Sequence, residues 1–253
     1  MKKLITMVGV AALALLTTSC LQQDTTIRLN KDGSGTITET TTLGAQMIAM
    51  MGAAGGEGGD PLDQMVEQAK AKSARTAAEM GEGVSVKEIK RTNAGGKKGI
   101  VTVYEFKDIN KLKYSIGISL GDDDANEEKD PLDISYKNGV LTINNDYEKA
   151  EKPAEEEPFD KNSLAMAKQM MGDMRISLSL EFPGGIAKTN AEHVAGNKVT
   201  IMDIDFGKLI AEEDKFMEFM KNQPESPAEA KELLKGVDGV KFETAEKLTI
   251  KLK

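Results

Sequence analysis

The chain has 253 residues and a formal net charge of −8, with 33 Lys and Arg against 41 Asp and Glu, one His, one Cys and no Trp. So acidic a surface repels phosphate backbones and anionic head groups, which excludes nucleic acid as a partner and excludes a basic membrane-binding patch. A single cysteine excludes an internal disulfide and a thiolate metal cluster, while the length suffices for one sizeable core or two small ones.

Lys2 and Lys3, an apolar run from Leu4 to Leu16, and then Thr17-Thr18-Ser19-Cys20 have the layout of a bacterial lipoprotein signal peptide. Such a segment is a processing address and not part of the fold. Residues 1–19 are the expected leader, Cys20 the expected lipidation site, and 20–24 a lipid-anchored tether. The Cys20 thiol would carry diacylglycerol and its new amino group a further acyl chain such as palmitate. At ~0.8 kcal/mol per buried methylene, two or three chains make attachment effectively permanent where one would be marginal. Thr17 stands where the cleavage motif usually has Leu, with Leu16 one place further back. Leu21 follows Cys20, so the aspartate that commonly retains lipoproteins on the inner membrane is missing. In a two-membrane bacterium this predicts the outer membrane, facing the periplasm. No later apolar run approaches the ~20 residues that span a bilayer.

The remainder, 25–253, reads as a single α+β domain with flexible insertions around 52–59, 121–131 and 148–158. Ile27 to Leu29 and Thr36 to Thr38 flank the turn-rich Asn30-Lys31-Asp32-Gly33-Ser34-Gly35 and form an opening hairpin. Gly44 to Met51 is an apolar helical turn or two, followed by the glycine run. Asp60 then reads as an N-cap with Pro61 at the first helical position, and Leu62, Met65, Val66 and Ala69 share one face of a helix that ends near Met80. Val84–Arg91 and Ile100–Phe106 form a second hairpin, and Tyr114–Leu120 continues the alternation.

Ile134–Tyr136 and Val140–Ile143 meet at Asn138-Gly139, the strongest short hairpin signal in the chain. A Met-rich helix is expected from Phe159 to Met171. Met174, Ile176, Leu178, Leu180 and Phe182 alternate with polar residues as a half-buried strand, with Val199–Phe206 as its partner. Helices near 213–221 and after Ser226-Pro227, and a strand at 248–252, close the chain. Strands a turn apart predict an antiparallel sheet built of hairpins with helices packed on one side.

The Ile-containing hairpin after Cys20 with Asp32-Gly33-Ser34-Gly35 in its turn, the stretch Tyr104-Glu105-Phe106-Lys107-Asp108-Ile109-Asn110-Lys111-Leu112, and Leu180-Glu181-Phe182-Pro183-Gly184-Gly185 before Gly196-Asn197 together resemble the LppM-like bacterial lipoproteins. The resemblance implies a secreted, membrane-attached α/β domain akin to lipid-binding folds, without a known catalytic centre. It transfers no ligand-contacting residue. The two low-complexity insertions stand outside its pattern.

Other local patterns give weaker chemistry. Asn30, Asp32, Ser34 and Thr36 fall on calcium-loop positions, but Thr41 occupies the twelfth, where a bidentate carboxylate is required, and the flanks alternate as strands; a hairpin turn is expected, and no metal. Asp122, Asp124 and Asn126 repeat the ligand spacing with Glu127 in place of the glycine, which marks a solvated acidic loop. The run Gly52–Gly59 lacks the Lys-Ser/Thr pair of a phosphate loop. His193 sits in a turn with no nucleophile motif around it, so no enzyme and no cofactor are expected.

Fourteen methionines are the remaining oddity. Met47, Met50 and Met51, and Met166, Met170 and Met171, lie in two helical segments. Flexible thioethers fill irregular cores and also line adaptable apolar grooves. Two readings follow: a non-catalytic module that binds a lipid or other apolar ligand lined by those methionines, or a structural, protein-interaction lipoprotein with no small-molecule site.

Overall fold

The computed structural model describes residues 21–54, 60–94, 97–114, 132–144, 161–222, 224 and 226–253. The leader, Cys20, both acidic insertions and the strand expected at 115–120 lie outside them. In chain order the elements are β1 (Leu21–Leu29), β2 (Gly35–Leu43), α1 (Ala45–Ala54), α2 (Pro61–Glu79), β3 (Val84–Ala94), β4 (Lys97–Phe106), a 3-10 turn at Ile109–Lys111, β5 (Asp133–Lys137), β6 (Val140–Asn144), α3 (Lys161–Met171), β7 (Arg175–Glu181), β8 (Ile186–Thr189), β9 (Val194–Ala195), β10 (Lys198–Asp205), α4 (Phe206–Ala211), α5 (Glu213–Asn222), α6 (Pro227–Leu233), β11 (Val240–Phe242) and β12 (Lys247–Leu252). The fold is α+β.

The strands form two sheets instead of one. The larger has the order β11-β10-β7-β1-β2-β4-β3, with β9 pairing β10, and the smaller β5-β6-β12-β8. Both are built mainly from the hairpins visible in the sequence. One pairing departs from the antiparallel expectation: β1 and β7 run parallel, from Gln22 opposite Arg175 to Arg28 opposite Glu181. Parallel neighbours need a long crossover, and here the whole chain between Leu29 and Arg175 supplies it.

A second difference concerns the chain start. Leu21 to Asp24, expected as tether, are the first residues of β1 and pair with Leu43 to Thr40 of β2. Their Thr, Gln and Leu side chains suit an extended strand, and pairing satisfies backbone groups that a tether would leave to water. Likewise α1 runs on to Ala54, through the start of the expected glycine connector.

Local chemistry explains the boundaries that held. Asp60 caps α2 by accepting from the Leu62 N–H at 3.0 Å, and its carboxylate also meets Arg91 at 2.9 Å. The Leu62 amide first, and Arg91 after it, hold the Asp60 carboxyl below its ordinary range. Ser226 caps α6 through Glu229 N–H. Asn138 and Gly139 take positive φ values of 53° and 75°, the left-handed pair that a tight hairpin requires. In the first turn, Asp32 Oδ1 accepts from Ser34 N–H at 3.0 Å and from its hydroxyl at 2.6 Å, which lowers the Asp32 pKa. That carboxylate belongs to the turn.

One face of the large sheet carries the core. Ile27 and Leu29 of β1, Ile37 of β2, Tyr104 and Phe106 of β4 and Leu178 and Leu180 of β7 join Ala77 and Met80 from the α2 end, and Leu141, Ile143, Leu248 and Ile250 from the small sheet. At the end where β1 starts, α3 to α6 cover Ile176, Ile204 and Phe242 with a second cluster centred on Leu209, Ile210 and Phe216. Phe182, wholly buried where β7 leaves toward the small sheet, joins the first cluster. Phe182→Ala is expected to cost about 3–5 kcal/mol in urea unfolding, and Phe182→Leu markedly less. Equal, small losses would mean that the two sheets are not packed through this ring.

Candidate functional site

The end of the large sheet at which β1 begins collects the features that bear on function. Leu21 lies opposite Leu43, two residues before α1, and Gln22 lies opposite Arg175, four residues after α3. The residue expected to be acylated, Cys20, is therefore covalently next to the strand on which both methionine-bearing helices converge. Cys20 itself lies outside the described residues.

The two methionine groups rest on different partners. α1 packs against α2, with Gly52 facing Pro61, whereas α3 packs against α4. Met50 is 61% exposed, and Met47 and Met51 are half-buried. None of the three belongs to either core cluster. Met171 is half-buried and packs on the second cluster, while Met166 and Met170 occupy helical positions in α3.

A cleft of about 490 Å³ opens between α3 and α5. Leu164, Ala165 and Met217 give it apolar walls, and Lys168, Glu213 and Asp214 stand along it. Lys168 donates to Glu213 across the two helices. Its lining does not include the α1 methionines, so the structure gives the two groups separate surroundings. The sole histidine, His193, is half-buried on a smaller cleft of about 250 Å³ shared with Lys231, Val237 and Phe242.

The residues that sequence reading missed are in the middle of the sheet. Glu39 of β2 lies between Thr25 of β1 and Thr102 of β4 in register. It falls on the inward phase shared with Ile37 and Leu43, so a carboxyl occupies a core-facing position. Alternation from Gly35 through Ile37 to Leu43 held that signal, had the strand been extended beyond Thr38. Tyr104, 4% exposed, and Tyr114 are close enough for their phenols to feel its charge.

Among the described residues the Glu39 carboxyl has neither a hydrogen-bond nor an ion-pair partner, and burial alone pushes its pKa up to about 7. Burial, and then the Glu39 charge, push both tyrosines up to about 12. Glu243, also buried, differs: its two oxygens accept from Glu192 N–H at 2.7 Å and Ala245 N–H at 3.1 Å. Glu243 is a structural clasp, while Glu39 is a carboxyl held where protonation decides its cost.

No protein-family model and no curated protein matches the chain. Among solved structures, the folded domain of LppM from Mycobacterium tuberculosis, determined by NMR, is similar at 14% identity over 75% of this chain and 85% of that one, with a TM-score of 0.31. The expected resemblance is met to that extent, as a distant structural similarity.

Glu39 gives a pH dependence whose sign is fixed. Its folded pKa, about 7, exceeds the ordinary 4.5, so the folded state holds the proton more tightly and stability falls as pH rises through that window. Glu39→Gln should remove the fall and exceed wild type above the window by roughly 2–4 kcal/mol. Unfolding measured in parallel across pH checks this; identical pH profiles for the two proteins would show that Glu39 is solvated like any surface carboxylate.

Proposed function

We propose that this chain is a lipid-anchored, non-catalytic module of the bacterial cell envelope that holds a lipid or other apolar ligand in the cleft between α3 and α5. The cleft carries the reading. Its volume of about 490 Å³ lies within the ~300–1,000 Å³ usual for small-molecule sites. Leu164, Ala165 and Met217 offer apolar surface to an acyl chain, and the flexible thioether of Met217 on α5 supplies adaptable packing. Lys168, released from Glu213, can meet a carboxylate or phosphate head group.

Position supports the same reading. α3 leads into β7 beside Gln22, so the cleft is carried by elements that meet next to the acylated residue, where membrane lipid is within reach. Attachment through acyl chains on Cys20, with Leu21 following, places the module on the outer membrane facing the periplasm in a two-membrane bacterium. The chain needs no cofactor in this role. Among the described residues no helix is long and apolar enough to cross a membrane, and the anchor would be lipid alone.

Two measurements test the reading separately. Cys20→Ser should lose the acyl mass and either leave the membrane fraction or accumulate uncleaved; retention in the membrane with the leader removed would overturn the anchor. Native mass spectrometry of protein extracted from bacterial membranes should show a bound lipid that Ala165→Trp displaces, since Ala165 is exposed on the cleft wall and a large ring there fills it. Absence of lipid, or equal lipid in both proteins, would leave the chain as an interaction lipoprotein with no small-molecule site.

A further inference from the structure

We infer that α1 lies in the bilayer interface as a second, non-covalent membrane contact, with Met50 turned into the lipid. The inference rests on the acylation of Cys20 proposed above. It does not depend on the cleft.

The sequence of α1, AQMIAMMGAA, has Gln46 as its one polar side chain, and no Asp, Glu, Lys or Arg occurs between Glu39 and Glu57. A helix on the surface of a water-soluble domain turns one apolar stripe inward and a charged face outward. α5 does so, with Phe216 buried while Glu213, Asp214 and Lys221 stand outside. α1 has no charged face to turn. α2 covers one side, and the other leaves Met50 61% exposed, the more exposed of only two large apolar side chains standing out among the described residues.

What covers that side follows from the β1–β2 register. Leu21 and Leu43 are directly opposite, and α1 begins at Ala45. One residue of chain reaches no more than ~3.6 Å and paired residues lie ~5 Å apart, so with two more residues from Leu43 to Ala45 a lipid-held Cys20 keeps the start of α1 within roughly 16 Å of its own position. Apolar side chains so placed can sink to a depth of ~5–10 Å at the head-group boundary, with the acyl anchor and not a charged helix face holding the segment there. Lys98, exposed and opposite Leu43 on the neighbouring strand, stands at the level of the phosphates. The bilayer is thus the one apolar phase that the covalent structure brings to this helix.

The test uses the full, acylated chain in native membranes. With Cys20 acylated the wild-type protein has no free thiol, so Met50→Cys and Lys31→Cys each carry a single nitroxide label. Lys31 is in the exposed turn at the opposite end of β1, and both positions are exposed enough for the variants to fold. Collisions with oxygen should exceed those with a water-soluble nickel chelate at position 50, and the order should reverse at position 31. Ala53→Cys, exposed on the same helix, should repeat the result. Water-like collision behaviour at 50 and 53, with wild type unlabelled, would overturn the inference and leave the anchor intact; a partner protein covering α1 would give low collision with both reagents and would overturn it too. Labelling of wild-type Cys20 would overturn the anchor itself.

Discussion

The parallel pairing of β1 with β7 is the constraint on which the rest of this structure depends. Without it the β1–β4 hairpins with α2, and the β7–β10 hairpin with α3 to α6, would be two separate sheets, each with a long open edge. Seven successive residues of β1 meet β7, and side chains reinforce the seam: the Ser177 hydroxyl donates to Asp24 at 2.6 Å, and Thr26 and Ser179 share a hydrogen bond at 3.2 Å. The seam also aligns ends. It sets the exit of α3 beside the start of β1, while the β1–β2 hairpin sets the entry of α1 there, so one register brings the exit of α3 and the entry of the uncharged α1 to the same end of the sheet.

That seam has a polar consequence. Joined by the seam, the large sheet offers its core face to a small sheet at one end and to helices at the other. Between these covers the inward residues of β1, β2 and β4 are Thr25, Glu39 and Thr102 instead of aliphatics. The chain satisfies a comparable burial at Glu243 with two backbone donors. Among the described residues Glu39 receives none, and a half-buried, core-facing carboxyl without donors is tolerated at neutral pH by partly keeping its proton, at a cost that aliphatic residues would avoid. Near two tyrosines on the core-facing side of the sheet, Glu39 is a residue that packing alone does not account for.

Much of the secondary structure was legible because its signals are local. The Asp60-Pro61 start of α2, the Ser226-Pro227 start of α6, the Asn138-Gly139 turn and the alternation from Met174 to Phe182 each depend on a few adjacent side chains. The parallel seam was not legible, since residues about 150 apart choose each other by the shape of the finished sheet. Nor was the small sheet, whose strands β5, β6, β8 and β12 come from three separated parts of the chain. The site divides in the same way. Type and spacing alone single out Cys20 and the methionines as candidates, without showing where those side chains go; Glu39 is recognisable only once the strand phase is extended past Thr38, and the α3–α5 cleft, to which Met217 is the methionine contributed among the described residues, only once two helices far apart in sequence are set side by side.

A helix of ten residues is too short to be stable in water by itself, and among the described helices α2 is the one that α1 chiefly packs on. Its Met and Ile side chains would add little as an independent membrane anchor, since the segment is short and has no basic face to attract anionic lipid. Beside an acylated Cys20 those limits matter less. In the proposed arrangement the acyl chains would meet the entropic cost of bringing the domain to the bilayer, and each apolar group of α1 would act at the high effective concentration of a tethered second site. Two points of contact also do what one flexible anchor cannot, which is to fix how the domain stands. Because β1 begins at Leu21, directly after the proposed anchor, that stance would fix the position of α3 and α5 relative to the lipid surface. A module whose cleft must meet membrane lipid gains more from such a stance than from a long tether.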